Sequence, residues 1–477
     1  MNPIVLVLLP TLLGLGVGLR RLRPHAQVVL VGTALVVSAL AFAHAMLPSR
    51  ELWLGDYVRS DATSRLFLAL INPIFLGISA YVASRLTATP TLHAGLGRFV
   101  GLALVFLGAS NAVVLGNHLL VQWMALEITT LVVAPLIVRP GVASSRLASW
   151  RYLLFSSVGL SLVLLGFICL GRAMEASGHE PSFFIDRLPG LGAVAAGPWG
   201  KSGLALVILG LGTKLGLAPM YTWLPEAYDE APPAVTALLG AVQFNAALVL
   251  LFRVVQVYRP SNAALVTNEL LILGLGSMVV SAISIIATRN MKRLIAYGAI
   301  NHAGVIAIGL AIGKGTTYGV LIYVISNAFI KAILFLTAGK IKAHYRTKDT
   351  REISGLIKDL PYSGVFLLVG TLALLGFPPF GSFFGELLIL SALVSSGHLY
   401  VFSIFCVVIT ITFVATGRTI FPMIWGAPKK VQTWPEQTFL AGSPKIAFLV
   451  VLVVLGLYIP PSISGLLERV AASLEGS

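Results

Sequence analysis

Four charged side chains lie inside apolar stretches of this 477-residue sequence: Glu127, Lys214, Lys331 and Glu386. A charge at the centre of a membrane helix costs roughly 2.5–3.5 kcal/mol on insertion scales, so each one requires a reason. One reason is structural, a charge pair that holds two helices together. The other is a relay for protons or ions, the usual role of ionisable groups in membrane spans. The relay is favoured for the whole set, because apolar packing could replace a structural pair at little cost.

Helix-breaking residues accompany two of these charges. Lys214 is followed by LGLAPMYTWLP, and Glu386 is preceded by GFPPFGSFFG. A proline inside a span frees backbone carbonyls, which is tolerated only against protein or a water-filled cavity. An ordinary kink would explain each proline alone, whereas a break beside a charge, occurring twice, predicts a transporter with a site near the membrane midplane. The prolines concerned are Pro219, Pro225, Pro378 and Pro379.

Further polar residues extend this set. If the helix carrying Glu127 turns that side chain toward Lys214, we expect the two to meet directly or through one water. We hypothesise that such a pair is a switch whose state sets the proton affinity of the lysine. Tyr323, Asn327 and Lys331 recur every four residues, so they form one polar stripe on a helix. The stripe either supports a chain of waters or is a hydrogen-bonded seam between helices.

The elements that must position these residues are membrane helices. Hydrophobic residues make up 57% of the chain and charged residues 11%, whereas a soluble domain carries about 25% charged residues. Mean hydropathy is +0.92. We therefore predict an all-α polytopic membrane protein with about fourteen transmembrane helices, because runs of spanning length fall near 2–19, 27–47, 65–84, 99–116, 118–138, 149–171, 202–222, 233–256, 268–288, 293–313, 317–339, 362–394, 399–424 and 444–467.

The basic residues predict the orientation of the chain. Of the 33 lysines and arginines, 21 fall in odd-numbered loops and ten in even-numbered loops and tails, leaving the two lysines within helices. Because positively charged loops stay in the cytoplasm, we expect both termini on the outer, periplasmic side of a bacterial cytoplasmic membrane. The net charge of +15 is thus ascribed to topology and not to nucleic-acid binding. The basic loop 340–360 serves the same topology or contacts a cytoplasmic subunit.

Cofactor-binding patterns are absent from the sequence. Cys169 and Cys406 lie far apart, and no C-x-x-C spacing occurs, which argues against an iron–sulfur or zinc site. The sequence has no P-loop and no G-x-G-x-x-G fingerprint after a strand. We expect no cofactor, no metal and no catalytic chemistry in this chain, and we expect any redox cofactors to lie in partner subunits.

Four segments resemble a known family: KLGLAPMYTWLPEAYDEAPPAVTALLGAVQFNAALVLLFR (214–253), RNMKRLIAYGAINHAGVIAIGL (289–310), NAFIKAILFLTAGKI (327–341) and GFPPFGSFFGELLIL (376–390). They are similar to the antiporter-like subunits of respiratory complex I, group 4 membrane-bound hydrogenases and Mrp sodium/proton antiporters, and look closest to the hydrogenase-4 component F type. The resemblance implies inverted repeats, helices 4–8 and 9–13, with helices 7 and 12 broken. It divides the chain into N-terminal helices (1–95), two repeats (96–258 and 259–425) and a C-terminal helix (426–477).

The resemblance also assigns roles to residues. The family's proton-translocating positions are taken by Glu127, Lys214, Lys331 and Glu386. An accessory polar path is formed by His302, Tyr221, Asn245, Tyr323 and Asn327. Many relatives have histidine where Tyr221 and Asn327 stand, and histidine or lysine where Gly240 or Asn245 stands. Tyrosine and asparagine do not readily carry a proton through a charged state near neutral pH, so the link from Lys214 to Lys331 is poorer in titratable groups than in typical relatives.

The sequence as a whole predicts a proton-translocating subunit, with sodium as the alternative ion, of a larger membrane redox complex of hydrogenase or NADH:quinone type. Its expected partners are other membrane subunits, cytoplasmic iron–sulfur or hydrogenase-like subunits and the lipid bilayer. Three alternatives stay open: an Mrp-like cation/proton antiporter subunit, an ion-coupled module for inorganic-carbon uptake, and a non-conducting scaffold subunit, which the missing histidines favour.

Overall fold

The computed structural model describes residues 2–19, 22–46, 51–88, 95–188, 194, 196–313, 315–428 and 439–475. It is helical apart from one antiparallel hairpin, β1 (Glu51–Trp53) and β2 (Val58–Ser60). Nine helices of the described residues are long and apolar enough to cross a membrane, and a bent pair near the C-terminus makes up to ten. The prediction of a polytopic α-helical membrane protein is confirmed at this level.

Six helices form the N-terminal part of the chain. They are α1 (Val5–Gly18), α2 (Ala26–Ala45), α3 (Ala62–Ala88), α4 (Leu96–Leu115), α5 (Leu119–Ile137) and α6 (Ala143–Ala176). Glycines permit close approach between neighbours: a Cβ added at Gly166 on α6 would lie 2.6 Å from the Gly203 carbonyl oxygen on the following helix. This tight seam fixes α6 against the helix that carries Lys214.

That following helix is broken directly after Lys214. α7 (Pro198–Leu215) ends at Gly216, whose φ of +78° is left-handed, and the chain resumes as α8 (Trp223–Glu230). The gap contains Pro219. Two side-chain hydrogen bonds satisfy backbone groups that the break frees: the Trp223 indole N–H donates to the Thr213 carbonyl at 3.0 Å, and the Ser277 hydroxyl accepts from the Ala218 N–H at 2.8 Å. The helix end is therefore buried without unpaired polar groups at these positions.

A second helix is broken in the same manner. α14 (Pro361–Leu374) and α15 (Gly381–Ser395) flank a gap that contains Pro378 and Pro379. Gly376 again has positive φ, +66°. The freed carbonyls of Ala373 and Leu374 accept hydrogen bonds from Ser382 Oγ at 2.7 Å and from the His302 ring at 2.8 Å. Pro225, by contrast, lies in the first turn of α8, where a missing N–H removes no helical hydrogen bond.

Two predicted boundaries differ from the structure. The runs at 233–256 and 268–288 form one helical stretch, which consists of α9 (Pro233–Ala237), a π-helical segment (Leu238–Gln243) and α10 (Phe244–Ala287). Only a kink at Asn262, two residues after Pro260, separates them. Conversely, the predicted run 444–467 is divided into α17 (Phe439–Leu457) and α18 (Pro461–Glu475), bent by 76°. Pro460 and Pro461 explain that bend, since neither offers a backbone N–H.

The remaining helices are α11 (Met291–Ile312), α12 (Thr317–Tyr345), the short α13 (Leu356–Asp359) and α16 (Leu399–Trp425). The apolar window of α12 is completely buried inside the chain. It packs against α14, α15, α11, α17 and the π-helical segment. The stripe of Tyr323, Asn327 and Lys331 therefore occupies the centre of the molecule, with each residue at most 1% exposed.

Candidate ion-translocation site

The ammonium group of Lys214 is buried beside the first helix break. It donates a hydrogen bond to Thr130 Oγ1 on α5 at 2.6 Å and lies 3.5 Å from the Tyr152 hydroxyl on α6. It also lies 5.1 Å from the centre of the Tyr152 ring, a cation–π contact. Two neighbouring helices, α5 and α6, thus supply polar or aromatic groups that share the cost of burying this lysine, which is 4% exposed.

Tyr152 extends this arrangement to the π-helical segment. Its hydroxyl contacts the Gln243 amide at 2.9–3.0 Å, and the Gln243 amide nitrogen also donates to Thr129 Oγ1 at 2.9 Å. A π turn adds a residue to the helical repeat, which changes the direction of the side chains that follow and is frequent at functional sites. The result is a closed network of hydrogen bonds between α5, α6, α7 and the π-helical segment.

Glu127 does not form an ion pair with Lys214 among the described residues. Its Oε1 accepts from Ser157 on α6 at 2.8 Å, and its Oε2 is buried with no hydrogen-bond partner. Met124 and Ile128 on either side are 49% and 44% exposed, so Glu127 lies near the outward face of α5. The direct form of the expected contact is therefore absent, and Thr130, one turn along α5, accepts the hydrogen bond from Lys214.

His302 connects the second helix break to the central stripe. One ring nitrogen, Nε2, lies 2.8 Å from the Leu374 carbonyl, and the other, Nδ1, lies 3.1 Å from Asn327 Oδ1. The Asn327 amide nitrogen is buried without a partner. A half-turn of the Asn327 amide exchanges its oxygen and nitrogen. When Asn327 presents its nitrogen to Nδ1, a neutral His302 ring accepts there and donates from Nε2 to Leu374. When Asn327 presents its oxygen, a protonated ring donates at both nitrogens. The pair has two hydrogen-bonded states that differ by one proton.

Glu386 lies at the same break and contacts the other end of the stripe. The Tyr323 hydroxyl donates to Glu386 Oε1 at 3.1 Å. A Cβ added at Gly376 would lie 2.3 Å from Glu386 Oε2, so the carboxylate folds back onto the glycine of the break. Only glycine leaves this space. The second break is therefore lined by a carboxylate, a tyrosine and a histidine.

Comparisons with known proteins decide which family has this architecture. Residues 116–412 match the family described as NADH:quinone oxidoreductase/Mrp antiporter, TM. That range includes both broken helices and the four charged side chains Glu127, Lys214, Lys331 and Glu386. The chain belongs to this family. The resemblance inferred from the sequence is confirmed.

Individual proteins are similar over nearly the whole chain. The hydrogenase-4 component F homolog of Methylacidiphilum infernorum (isolate V4) is 26% identical over 435 residues, which is 86% of this chain and 87% of that protein. A chain of the membrane-bound sulfane sulfur reductase, an archaeal respiratory membrane complex, superposes with a TM-score of 0.87 at 21% identity, covering 99% of this chain and 97% of that one. A chain of the Mrp complex from Dietzia sp. DQ12-45-1b gives 0.86 at 20% identity, covering 100% and 98%. At these identities the two structures establish the fold.

Lys331 has an unusual environment for a buried charge in this antiporter-family chain. Its ammonium lies 3.6 Å from the centre of the Phe244 ring, and it forms no hydrogen bond or ion pair with any described residue. The π-helical segment passes directly against its side chain: a Cβ at Gly240 would lie 3.4 Å from Lys331 Cδ and 3.3 Å from the Phe335 ring. A larger residue at position 240 would have to displace Lys331 or Phe335.

Two accessory residues predicted from the family resemblance lie outside these networks. Tyr221, in the first break, is partly exposed and its hydroxyl has no described hydrogen-bond partner. Asn245 is fully buried, but its amide nitrogen donates to Ala241 of its own helix at 2.7 Å and its oxygen has no partner. Sequence reasoning instead missed Thr129, Thr130, Tyr152 and Gln243. The adjacent threonines and the lone glutamine within apolar runs were the available signal.

The far end of α8 carries a dense cluster of charges that closes the first broken helix. Lys292 is 1% exposed and donates to the Asp229 and Ala231 carbonyls, both at 2.9 Å. Lys348 bridges Asp229 and Glu230 at 2.8 and 3.0 Å, and Arg139 pairs with Glu230. Burial alone would raise the pKa of Glu230, but the hydrogen bond and charge of Lys348, with those of Arg139, lower it to about 2.

Arg253 is a further buried cation that the sequence analysis did not predict. Arg253, 0% exposed, donates from two nitrogens to the two Asp61 oxygens, one of these bonds measuring 2.7 Å, and from Nη2 to Ser64 Oγ at 3.1 Å. Asp61 also caps α3 by accepting from the Ser64 N–H at 2.9 Å. Burial disfavours the carboxylate, but Arg253 beside it holds the pKa of Asp61 well below its usual range. This pair fixes α10 to the start of α3.

Proposed function

We propose that this chain is a proton-translocating, antiporter-like subunit of a multi-subunit membrane redox complex. One observation carries the proposal: two helices are broken at Gly–Pro-containing gaps, and each gap adjoins an ionisable side chain, the buried Lys214 or the half-buried Glu386. Buried charges beside opened helices are the arrangement that ion pathways use at the membrane midplane. Membership of the antiporter family and the similarity to a hydrogenase-4 component F homolog support the same function.

The proposed path runs from Glu127 through Lys214 and Lys331 to Glu386. The network of Thr130, Tyr152 and Gln243 serves the first half. In the second half His302 with Asn327, and Tyr323 with Glu386, are the polar contacts. Lys331 lies between the halves against an aromatic ring, so water must bridge it to either side.

We further propose the finer architecture that the family resemblance implies. Fourteen spans would result if each broken helix counts once and the kink at Asn262 divides two spans. Residues 96–258 and 259–425 would then be the two repeats, each with its own break, flanked by 1–95 and 426–477. Both termini would lie on the periplasmic side of a bacterial cytoplasmic membrane, as the distribution of basic residues indicates.

The driving energy must come from partner subunits. Moving one proton against ~150 mV costs roughly 3.5 kcal/mol, and in the hydrogenase- or NADH:quinone-type complexes that the family resemblance implies, a redox reaction would supply it. We therefore place the redox cofactors in other subunits of the complex. Glu127 is half-buried near the outward face of α5, so among the four charges it is the one best placed to respond to a neighbouring membrane subunit.

Replacement of Lys214 tests the function directly. Lys214→Ala removes the charge at the first break, and proton uptake by inverted vesicles that contain the assembled complex should fall by about tenfold or more. Lys201→Ala, at the exposed start of the same helix, is the matched control and should pump normally. Native gel electrophoresis checks assembly. An unchanged number of protons per turnover in the Lys214 variant would refute the proposal.

Glu386 provides an independent test at the other break. Glu386→Gln keeps an acceptor for the Tyr323 hydroxyl but cannot lose a proton, so translocation should stop while assembly persists. The exposed Glu468 on α18, which accepts from Ser464 at 3.0 Å, supplies the matched control Glu468→Gln. Normal pumping by the Glu386 variant would remove this residue from the path.

A non-conducting link within the complex is the second candidate, favoured by the missing polar partners of Lys331. In that case both variants would retain full pumping by the complex but weaken its assembly. Measuring translocation and assembly on the same preparations separates the two functions. Identification of co-purifying subunits distinguishes a redox complex from an Mrp-type antiporter.

A further inference from the structure

A groove between α10 and α16 combines an apolar wall with a basic end. Its volume is about 780 Å³. Ile286, Ile411 and Val414 form the apolar part and are 64%, 38% and 59% exposed. Arg289 and Arg418 lie at the other end. The groove shares no lining residue with the proposed ion path.

The lining of the groove changes from apolar to basic along α16. Ile411, Val414 and Arg418 follow one another at spacings of three and four, so they lie on one face of the helix. α16 spans 27 residues, or roughly 40 Å, and its midpoint lies close to Ile411. Arg418 is therefore about 10 Å nearer the helix end, from which a long side chain reaches the headgroup level of a bilayer.

The two arginines are available to bind an anion. Neither guanidinium forms a hydrogen bond or ion pair with a described residue. The nearby carboxylate, Asp349, is occupied by Arg351 through bonds of 3.1 and 2.6 Å, although the Arg289 charge also acts on it. Exposed arginines at the headgroup level of an apolar groove complement a phosphate attached to an acyl chain.

The basic end is held in place by the backbone. The Thr350 N–H donates to the Arg289 carbonyl at 2.8 Å, and the Met291 N–H donates to the Lys348 carbonyl at 3.0 Å. These bonds fix the segment after α10 against the segment that contains Thr350, which itself lines the groove. The position of this basic end, formed by the segments of Arg289 and Thr350, is therefore set before any ligand arrives.

We propose that this groove binds an anionic phospholipid of the surrounding bilayer, with its phosphate on Arg289 and Arg418 and an acyl chain along Ile286, Ile411 and Val414. A lipid is the occupant because the exposed apolar wall continues into a helix of spanning length, whereas a free anion would use only the basic end. By the orientation inferred from basic residues, the headgroup lies in the cytoplasmic leaflet, where anionic lipids attract basic pockets between helices.

The test uses the full chain in its native membrane complex and a phosphatidylglycerol that carries a photoreactive diazirine on its acyl chain. Illumination should attach the probe to the peptide that contains Ile411 and Val414, and unlabelled phosphatidylglycerol should compete better than phosphatidylcholine. The double variant Arg289→Gln/Arg418→Gln should reduce labelling by about 30-fold, since each of the two surface arginines contributes about 1 kcal/mol toward an anionic lipid and about 1.4 kcal/mol is tenfold.

Two further variants complete the design. Arg146→Gln/Arg346→Gln removes the same charge from exposed positions outside the groove and should label as the wild type does. Val414→Trp fills the apolar part and should reduce labelling while both arginines remain. Equal labelling of the wild type and the double groove variant, equal competition by phosphatidylcholine, competition by inorganic phosphate alone, or no labelling of α16 in the assembled complex would each overturn the proposal.

Discussion

Lys214 donates its hydrogen bond to Thr130, at 2.6 Å, and not to a carboxylate. The lysine is thus held by a neutral acceptor, and among the described residues Glu127 forms no ion pair with it but accepts from Ser157. An ammonium held by a hydroxyl can release a proton without breaking a close ion pair. We propose that a change in the distance between Glu127 and Lys214 would shift the proton affinity of the lysine, while the hydroxyl keeps the lysine in position.

Thr130→Val tests the role of this hydroxyl, because valine keeps the shape of threonine and removes the acceptor. The buried ammonium then loses its shortest hydrogen bond, which costs about 1–3 kcal/mol, and we expect proton translocation to fall about tenfold with assembly intact. Initial rates of proton uptake by inverted vesicles measure the effect.

The matched control is Thr213→Val, next to Lys214 on its own helix. That hydroxyl donates only to the Leu209 carbonyl, at 3.1 Å, so the control should pump at the wild-type rate. Equal rates for the Thr130 and Thr213 variants would show that the hydroxyl contact has no part in translocation.

Asn327→Leu tests whether the two states of the His302–Asn327 contact matter. Leucine is close in size to asparagine but offers His302 neither a donor nor an acceptor, so the histidine keeps only its bond to the Leu374 carbonyl. We expect translocation to slow about tenfold and to lose the part of its pH dependence that His302 supplies. Rates measured across a range of pH values test this.

Asn245→Leu serves as the comparison for that variant. Asn245 is equally buried, but it bonds only to its own helix and its oxygen has no partner. Removal of this amide should leave the pH profile unchanged. If instead Asn245→Leu slows pumping and Asn327→Leu does not, the accessory path runs along α10 and not along α12.

The buried Arg253–Asp61 pair predicts a large stability effect. Asp61→Asn leaves a fully buried guanidinium without its counter-charge, which costs about 3–5 kcal/mol, and the thermal midpoint in detergent should fall accordingly. Arg187 and Asp56 form an exposed pair at 3.0 Å, so Asp56→Asn should cost less than about 1 kcal/mol. Similar midpoints for the two variants would contradict a structural role for the buried pair.

Local sequence signals predicted the breaks but not the partners across helices. The Gly–Pro stretches after Lys214 and before Glu386 act within one segment of chain, so their effect on the helix is readable from sequence. The partner of Lys214 depends on how α5 is shifted and rotated against α7. Thr130 is three residues from Glu127, the predicted partner of Lys214, which is an axial difference of about 4.5 Å. The spacing of residues within α5 does not show which of the two lies level with Lys214.

Other parts of the site depend on contacts distant in sequence. Arg253 and Asp61 are 192 residues apart, and nothing local marks them as a pair. Gln243 is uncharged, so it lacks the high cost of membrane insertion that marks the four charged residues. The direction of its side chain depends on the π-helical segment. The kink at Asn262 lies between two predicted runs, 233–256 and 268–288, but the helix continues through it. The bend before Pro461 lies inside the run 444–467, which was predicted to be continuous.

Acid should destabilise the chain in part through Glu230. Its pKa is about 2 in the folded chain against 4.5 for the free side chain. The unfolded chain therefore takes up the proton first as pH falls. The stabilisation by this carboxylate is complete above pH ~4.5 and is lost as pH approaches 2. The thermal midpoint should thus drop less steeply between about pH 5 and pH 3 in Glu230→Gln than in the wild type. Glu175→Gln, which alters an exposed pair with Arg172, should keep the wild-type slope; a wild-type slope in Glu230→Gln would assign the acid sensitivity to other groups.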